Sequence, residues 1–309
     1  MSVITDVITA SRRRLYAWLS ARYMDGCSNY NSLAVRRGCR SKAQARQRFA
    51  ERGVPHAKGM IFYNPFAARK FALEHGFPLV IKPNVSGFSR GSHFPITNMR
   101  ELWKAALWVK VWWPSSVVEQ YLWGANYRVL ATRDDIASVI RRYPPFVDGN
   151  GEDTIAALID TENEVRERMQ LTPVIHRIEK SREVRQYLEK QQLSLQSIPG
   201  DGERIYLFNR VALAPGGVVE TIDSASIPEA NQKLFKQIVS DFDAHVLGID
   251  VIFEEGIEKP WDQQRCIFLE VNSRPYMKMH NVPRFGPVPD LSAFYAKMDQ
   301  LAVVDSDIF

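Results

Sequence analysis

Two apolar runs near the C-terminus constrain the fold more than any other feature of the chain. GIDVIFE (248–254) and RCIFLEVN (265–272) each have the length of a strand, and a polar loop lies between them. Glu270 and Asn272 are two residues apart, so strand alternation aims both side chains at one face. Asp250 is the carboxylate set among apolar residues in the other run. A hairpin centred near residue 260 places Asp250 opposite Glu270. Two carboxylates and one amide oxygen converging on a point suit a hard cation such as Mg²⁺, which takes oxygen ligands and shares them with phosphates. The same residues also suit an acidic pair on an exposed strand face, and the pattern alone leaves both readings open.

A second feature lies upstream. FPLVIKP (77–83) is a short apolar run bounded by prolines, read as a buried strand with Lys82 at its end. The loop that follows, NVSGFSRGS, contains Ser86, Gly87, Ser89, Arg90 and Gly91. Its backbone N–H groups can wrap phosphate because glycine allows close approach, and Lys82 supplies a cation at the loop's entrance. The lysine precedes the glycines, so this is not a Walker A loop; a surface loop beside a snorkelling lysine is the plain alternative. In VVEQYLWGANYRVL (117–130) a strand passes into a short connection whose backbone can read an adenine edge, with Asn126 polar enough for a ribose hydroxyl. Arg128 and Arg142 are candidate cations for a phosphoryl or carboxylate group, or partners of structural carboxylates.

Around these motifs the chain alternates short strands with helices. Helices are expected at 42–52 (with Ser41 as N-cap), 65–75 (with Gly76 as C-cap), across MRELWKAALWVKVWW, and at 153–169, 179–191, 228–246 and 290–301. Strands are expected at MIFY, SVVEQYL, the hairpin NYRVLAT/IASVIRRYP and IYLFNRVAL. This mixture, with several hairpins, predicts an α+β fold with largely antiparallel sheets. No run approaches the roughly 18 apolar residues of a membrane helix. The N-terminus has its arginines after its apolar stretch, which does not match a secretory signal. Cys27, Cys39 and Cys266 are too scattered for a disulfide framework or a zinc pattern, so a cytoplasmic setting is expected. A net charge of +5 suits a pocket for anionic substrates. Arg36, Arg37, Arg40, Lys42, Arg46 and Arg48 read mainly as a solvated helix face.

The order of these elements resembles the ATP-grasp superfamily, and within it the ATP-grasp module of cyanophycin synthetases, with bifunctional glutathione synthetases further off. The likeness spans about residues 41–285. It rests on SKAQARQRFAERGVPHAKG, VIKP with Arg90-Gly91, VVEQYLWGANYRVLAT, RRYPPFVDGNGEDTI, ALAPGG, GIDVIF and EVNSRPYMKMH. The resemblance implies an ATP-grasp fold in which two α+β subdomains grip ATP between them. An N-terminal helical segment would cover 1–40, a small subdomain with the phosphate loop 41–118, and a large subdomain with the metal site 119–309. It further implies that Lys82 and the loop 84–92 bind ATP phosphates. Glu119, Gln120, Tyr121 and Leu122 would hold adenine, and Asn126 the ribose. Asp250, Glu270 and Asn272 would ligate Mg²⁺, while Arg128, Arg142 and Arg210 would face the reacting groups. The implied activity is a carboxylate–amine ligase that forms an amide through an acyl phosphate. Its partners would be small-molecule carboxylate and amine substrates, with a homodimer as an open option and neither membrane nor nucleic acid expected.

The chain departs from the family where Phe208 and Ala212 stand in place of the usual Arg and Asn before the Gly216-Gly217 turn; Arg210 can substitute only after a shift. Two further readings therefore stand beside the ligase. One is a nucleotide-binding scaffold or regulator without turnover. The other is a ligase acting on a macromolecule and docking it through the basic 36–48 segment. Loops 84–92, 145–153, 172–200 and 273–286, with Lys278 and His280 in the last, are where substrate selection is expected.

Overall fold

The computed structural model describes residues 30–39, 42–84 and 91–300. In chain order the elements are α1 (Leu33–Gly38), α2 (Lys42–Glu51), β1 (Gly59–Phe62), α3 (Pro65–His75), β2 (Leu79–Pro83), β3 (His93–Ile96), α4 (Met99–Trp112), β4 (Ser116–Gln120), β5 (Ala125–Thr132) and β6 (Ile136–Tyr143). There follow β7 (Phe146–Asp148), α5 (Ile155–Arg168), α6 (Arg182–Lys190), β8 (Arg204–Tyr206), β9 (Val218–Ile222), α7 (Glu229–Asp241), β10 (Val246–Phe253), β11 (Cys266–Asn272), α8 (Lys278–Asn281) and α9 (Ser292–Gln300). The α+β class with antiparallel pairing is as expected. Two compact units divide the chain: residues 1–139, 223–277 and 290–309 form the first, residues 140–222 and 278–289 the second.

In the first unit, a four-stranded sheet has the order β1-β4-β2-β3. One of its faces is covered by α3 and α4, which bury Phe62, Phe71, Leu79, Ile81, Leu102 and Val109. Local signals explain why α3 begins and ends where it does. Asn64 accepts the N–H of Phe66, Pro65 presets the first helical φ, and Gly76 closes the helix at φ +72°. In β2, Leu79 and Ile81 point into this core, so alternation sends Val80 and Lys82 to the opposite face.

The second sheet of this unit places β10 between β11 and β5, with β6 beyond β5. Both pairs with β10 are antiparallel, and Asp250 is the Cα partner of Glu270 on one side and of Arg128 on the other. A register shift follows immediately: Val251 pairs with Phe268, so Leu269 is the extra residue of a bulge. The bulge has a purpose visible in the packing. It lets Phe268 turn into the core, 2% exposed, while Glu270 stays on the same face as Asp250. The predicted opposition of Asp250 and Glu270 is therefore correct.

In the second unit, α5 and α6 bury Ile155, Leu158, Ile159, Val184 and Leu188 together with Ile205 and Leu207. Thr154 caps α5 through the Ala157 N–H. Strands β7 and β8 pair over three positions, and β9 adjoins the end of β6.

Several expected elements differ. The strand read across IYLFNRVAL stops at Tyr206. After the Leu207 N–H reaches Pro145 O at 2.8 Å, the facing chain offers Pro144 and Pro145, which have no N–H to continue a ladder. The helix read to residue 246 ends at Asp241, because Asp243 adopts φ +52° and the chain turns into β10. Strand β7 lies in the 145–153 segment read as a loop, and β3 and β9 lie where no element was expected. Ser41 and most of the N-terminal helical segment fall outside the described residues.

Candidate functional site

The first group of site residues sits on the face of the four-stranded sheet turned away from α3 and α4. Val80 is the Cα partner of Glu119, which sets Lys82 diagonal to Glu119 on that face. The Lys82 ammonium forms an ion pair with one Glu119 oxygen, and Arg46 of α2 takes the other. All three side chains are largely shielded from solvent, with Arg46 only 14% exposed. A small cleft lined by Arg46, His56, Ala57, Glu119, Phe268 and Leu269 opens beside them.

Arg46 is the residue that sequence reading missed. Its basic stretch was expected to face solvent. Instead α2 buries Ala45 and Phe49 one turn apart and packs on β11. That orientation carries Arg46 onto Glu119 and the Arg48 guanidinium over the Phe242 ring, 4.9 Å from its centroid. Arg36 is buried as well. The available signal was the i, i+4 pair of apolar residues, which fixes which neighbours turn inward.

The connection after β4 follows. The Gln120 N–H bonds Lys58 O at 2.9 Å and the Tyr121 N–H bonds Pro78 O at 3.0 Å. Those two donors are therefore spent within the fold. Leu122 is buried, and among the described residues its N–H has no hydrogen-bond acceptor. The Tyr121 ring stacks on Phe94 at 5.9 Å and meets Trp123 edge-on at 5.0 Å, an aromatic wall beside the same connection. Asn126 pairs in register with Ile252, two positions from the Asp250–Arg128 pair and on the same face. Ser86, Gly87, Ser89 and Arg90 lie outside the described residues. Gly91 is described at φ +74°, and a Cβ there would fall 2.5 Å from the Trp113 ring, so only glycine fits.

The second group is on β5, β10 and β11. Arg128 donates Nε–H to Asp250 Oδ1 at 2.6 Å and Nη2–H to Oδ2 at 2.8 Å, a bidentate pair buried in the sheet. Burial by itself would lower the Arg128 pKa, but the charge and hydrogen bonds of Asp250, with the charge of Glu270, raise it above the ordinary value. Two carboxylates thus act on one guanidinium. Asn272, partnered with Gly248 in the register, directs its amide N–H to Gly248 O at 3.5 Å, a long and weak contact.

Asp250, Glu270 and the Asn272 amide oxygen are hard oxygen donors on one face, and in kind they fit Mg²⁺. An ionised carboxylate has about four lone-pair sites, so Asp250 can serve a metal while Arg128 holds it. Among the described residues no cluster of three or more His, Cys, Asp or Glu offers a competing metal site.

Arg142 and Arg210 belong to the second unit. Arg142 lies near the end of β6 and is partly buried. Arg210 is in the irregular segment after β8, its guanidinium over the Phe208 ring at 5.4 Å. Burial lowers its pKa, and among the described residues no carboxylate pairs with it. The same unit holds an ion network that sequence reading did not find. Arg284 donates to both oxygens of Glu162, at 3.1 and 2.9 Å, and Arg166 donates to Glu162 at 2.9 Å and to Gly216 O at 2.9 Å. The Gly216-Gly217 turn is thereby tied to α5. No helix among the described residues is long and apolar enough to cross a membrane.

Comparison with known proteins gives a consistent set of likenesses. No family model matches the chain. It is 31% identical over 257 residues to a cyanophycin synthetase of Trichormus variabilis, covering 82% of this chain and 28% of that protein. It is 29% identical over 245 residues to the glutathione biosynthesis bifunctional protein GshAB of Clostridium perfringens, covering 76% of this chain and 31% of the relative. The chain thus spans about three tenths of the length of these relatives. Among solved structures, a bifunctional glutathione synthetase from Pasteurella multocida superimposes with a TM-score of 0.63 at 22% identity, over 88% of this chain and 38% of that one. The D-alanine–D-alanine ligase of Bacillus anthracis gives 0.50 at 15% identity, over 86% and 66%.

Proposed function

We propose, from the premise that this chain belongs to the ATP-grasp superfamily, that it is an ATP-dependent carboxylate–amine ligase. The observation that carries the proposal is the pairing of Asp250 with Glu270 on adjoining strands, beside Arg128 and on the face shared with Asn126. In this reading the γ-phosphoryl group of ATP passes to a substrate carboxylate, releasing ADP and leaving an acyl phosphate. An amine then attacks the acyl carbon, phosphate departs, and an amide remains.

The chain's own residues would act as follows. Lys82 leaves Glu119 and neutralises phosphate oxygens, while Arg46 keeps Glu119 paired. The Leu122 N–H and the Glu119 carboxylate hold the adenine edge against the Tyr121 wall, with Gln120 beside them, and Asn126 takes a ribose hydroxyl. Arg128 fixes the Asp250 carboxylate, and Asp250, Glu270 and Asn272 hold Mg²⁺. When bound, the metal would offset charge on the transferring phosphoryl group. Arg142 and Arg210 would be cations for the phosphoryl group and the acceptor carboxylate. The division at 118/119 into a small and a large subdomain belongs to the same proposal, as do the glycine–serine loop as phosphate cover, the cytoplasmic setting, and an amino acid, peptide or small carboxylate as substrate.

The test is ADP release by the purified chain with Mg-ATP against single amino acids and pairs, with product masses read in parallel. Stimulation by a carboxylate together with an amine, and a product mass equal to their sum less water, is expected. Nucleotide binding without stimulated ADP release from any combination would overturn it for small substrates. That outcome would favour the reading as a regulator without turnover, which one observation supports: the segment carrying Phe208 and Ala212 forms no strand.

A further inference from the structure

Helix α4 buries Leu102, Ala105, Ala106 and Val109 against the four-stranded sheet. A surface helix normally turns polar on its other side, and the C-terminal half of α4 does not. Leu107, Trp108, Val111 and Trp112 fall at i, i+1, i+4 and i+5, which makes one continuous outward stripe. Tyr63 and Phe66 stand at the start of the neighbouring α3. The Phe66 ring meets Trp103 of α4 at 5.2 Å, and Lys110 of α4 reaches the Tyr63 ring at 5.9 Å. These six residues are exposed by 56% (Trp108) to 71% (Tyr63).

The area involved is large. At about 150–250 Å² per aromatic side chain, the exposed parts of Tyr63, Phe66, Trp108 and Trp112 amount to roughly 400–650 Å². The largest apolar patch on an ordinary monomer is about 300–600 Å² in all. With Leu107, Val111 and a polar rim, the face reaches the roughly 800 Å² per partner of a standard stable interface.

We propose that this face is the interface of a homodimer in which two copies pack α4 against α4, antiparallel, about a two-fold axis at Trp108. An isologous contact requires a surface complementary to itself. The apolar stripe occupies the C-terminal half of α4, while Arg100 and Lys104 are exposed on its N-terminal half. Lys104 and Trp112 lie four residues on either side of Trp108, so the antiparallel pairing sets each Lys104 ammonium against the Trp112 indole of the other copy, a cation–π contact. Trp108 and Leu107 are central and fully covered, where large aromatic residues contribute most to binding. The face is on the opposite side of the sheet from Lys82 and Glu119, and the proposal does not depend on the ligase reading.

Sedimentation velocity of the full chain without nucleotide, across the micromolar range, tests it. A dimer is expected for the wild type, and Trp112→Glu should raise its dissociation constant by about 30-fold or more. Lys104→Ala should weaken the dimer by a smaller factor. Unchanged circular dichroism and unfolding midpoint in these surface variants would show that the fold is intact; if Trp112→Glu fails to fold, Val111→Lys replaces it. A monomeric wild type at every concentration overturns the proposal, as does a dimer that survives both Trp108→Glu and Trp112→Glu. A monomer that sediments with phosphatidylserine-containing vesicles would also overturn it and assign the face to a membrane.

Discussion

Two carboxylates in the first unit, Asp250 and Glu119, are both clamped by cations, yet the clamps differ in kind. Asp250 is held by the Arg128 guanidinium through two parallel bonds within one sheet, and that pair is buried. Glu119 is shared between Lys82 on the next strand and Arg46 on a helix. The first clamp is geometrically closed: its two parallel bonds join two buried side chains of neighbouring strands. The second can open on one side, because Arg46 still neutralises Glu119 when Lys82 departs. Fixed orientation suits a group that must present oxygens to a metal, whereas a releasable lysine suits a group that must meet phosphate.

The largest effect should come from breaking the closed clamp. Arg128→Met removes the bidentate partner of the buried Asp250, and removal of one partner of such a pair typically costs about 3–5 kcal/mol. Urea unfolding should show that loss, and adding Asp250→Asn should restore part of it, since the buried charge is then removed. If Arg128→Met unfolds at the wild-type midpoint, the pair is not structural and the contrast with Glu119 collapses.

Glu270→Gln should separate function from stability at the same corner. Glu270 is only partly buried. Its substitution should lower metal-dependent ADP release by at least about 100-fold, of the order seen when one preorganised charge is removed from a reacting centre. The unfolding midpoint should stay near that of the wild type. Unchanged turnover would remove Glu270 from the metal site.

The two clamps also differ in how far the sequence announces them. Asp250 opposite Glu270 follows from alternation in two apolar runs with a countable loop between them. The bulge at Leu269 does not, because a bulge depends on whether Phe268 has a core to enter. Lys82 is legible as the polar end of a buried strand. Arg46 is not, because its partner is 73 residues away and only the packing of Ala45 and Phe49 turns it inward. The failure at 207–213 has the same cause: YLFNRVAL looks like a strand, but a strand needs a neighbour with free N–H groups, and Pro144-Pro145 supplies none. Local patterns specify elements and faces; what lies opposite them is decided by tertiary packing.

The open clamp predicts an ordered pair of smaller effects. Lys82→Met should weaken nucleotide binding by about 10-fold or more, the scale of one charge-assisted hydrogen bond. Arg46→Met should weaken it by less, because Arg46 acts through Glu119. A fluorescent ATP analogue titrated against each variant checks the order. An Arg46→Met effect equal to that of Lys82→Met would mean that Arg46 itself touches the nucleotide and that the releasable partner has been misassigned.

The smallest effect concerns the two described thiols, where the same contest between burial and a neighbouring cation is visible in isolation. Burial pushes Cys266 up to about 12 with no compensating charge. Burial also raises Cys39, but Arg48 and a hydrogen bond from Ser273 pull it back to about 11. Both folded-state values lie above the ordinary 9.0, so the fold binds these protons more tightly than the unfolded chain does. Their contribution to stability is full below pH 9.0 and is lost as pH rises towards about 11 for Cys39 and about 12 for Cys266. Native-state alkylation followed by mass spectrometry, on the alkaline side of that threshold, should modify Cys39 before Cys266. Cys266→Ala should flatten the alkaline decline of the urea midpoint slightly. Faster labelling of Cys266 would mean that Arg48 exerts no pull at Cys39.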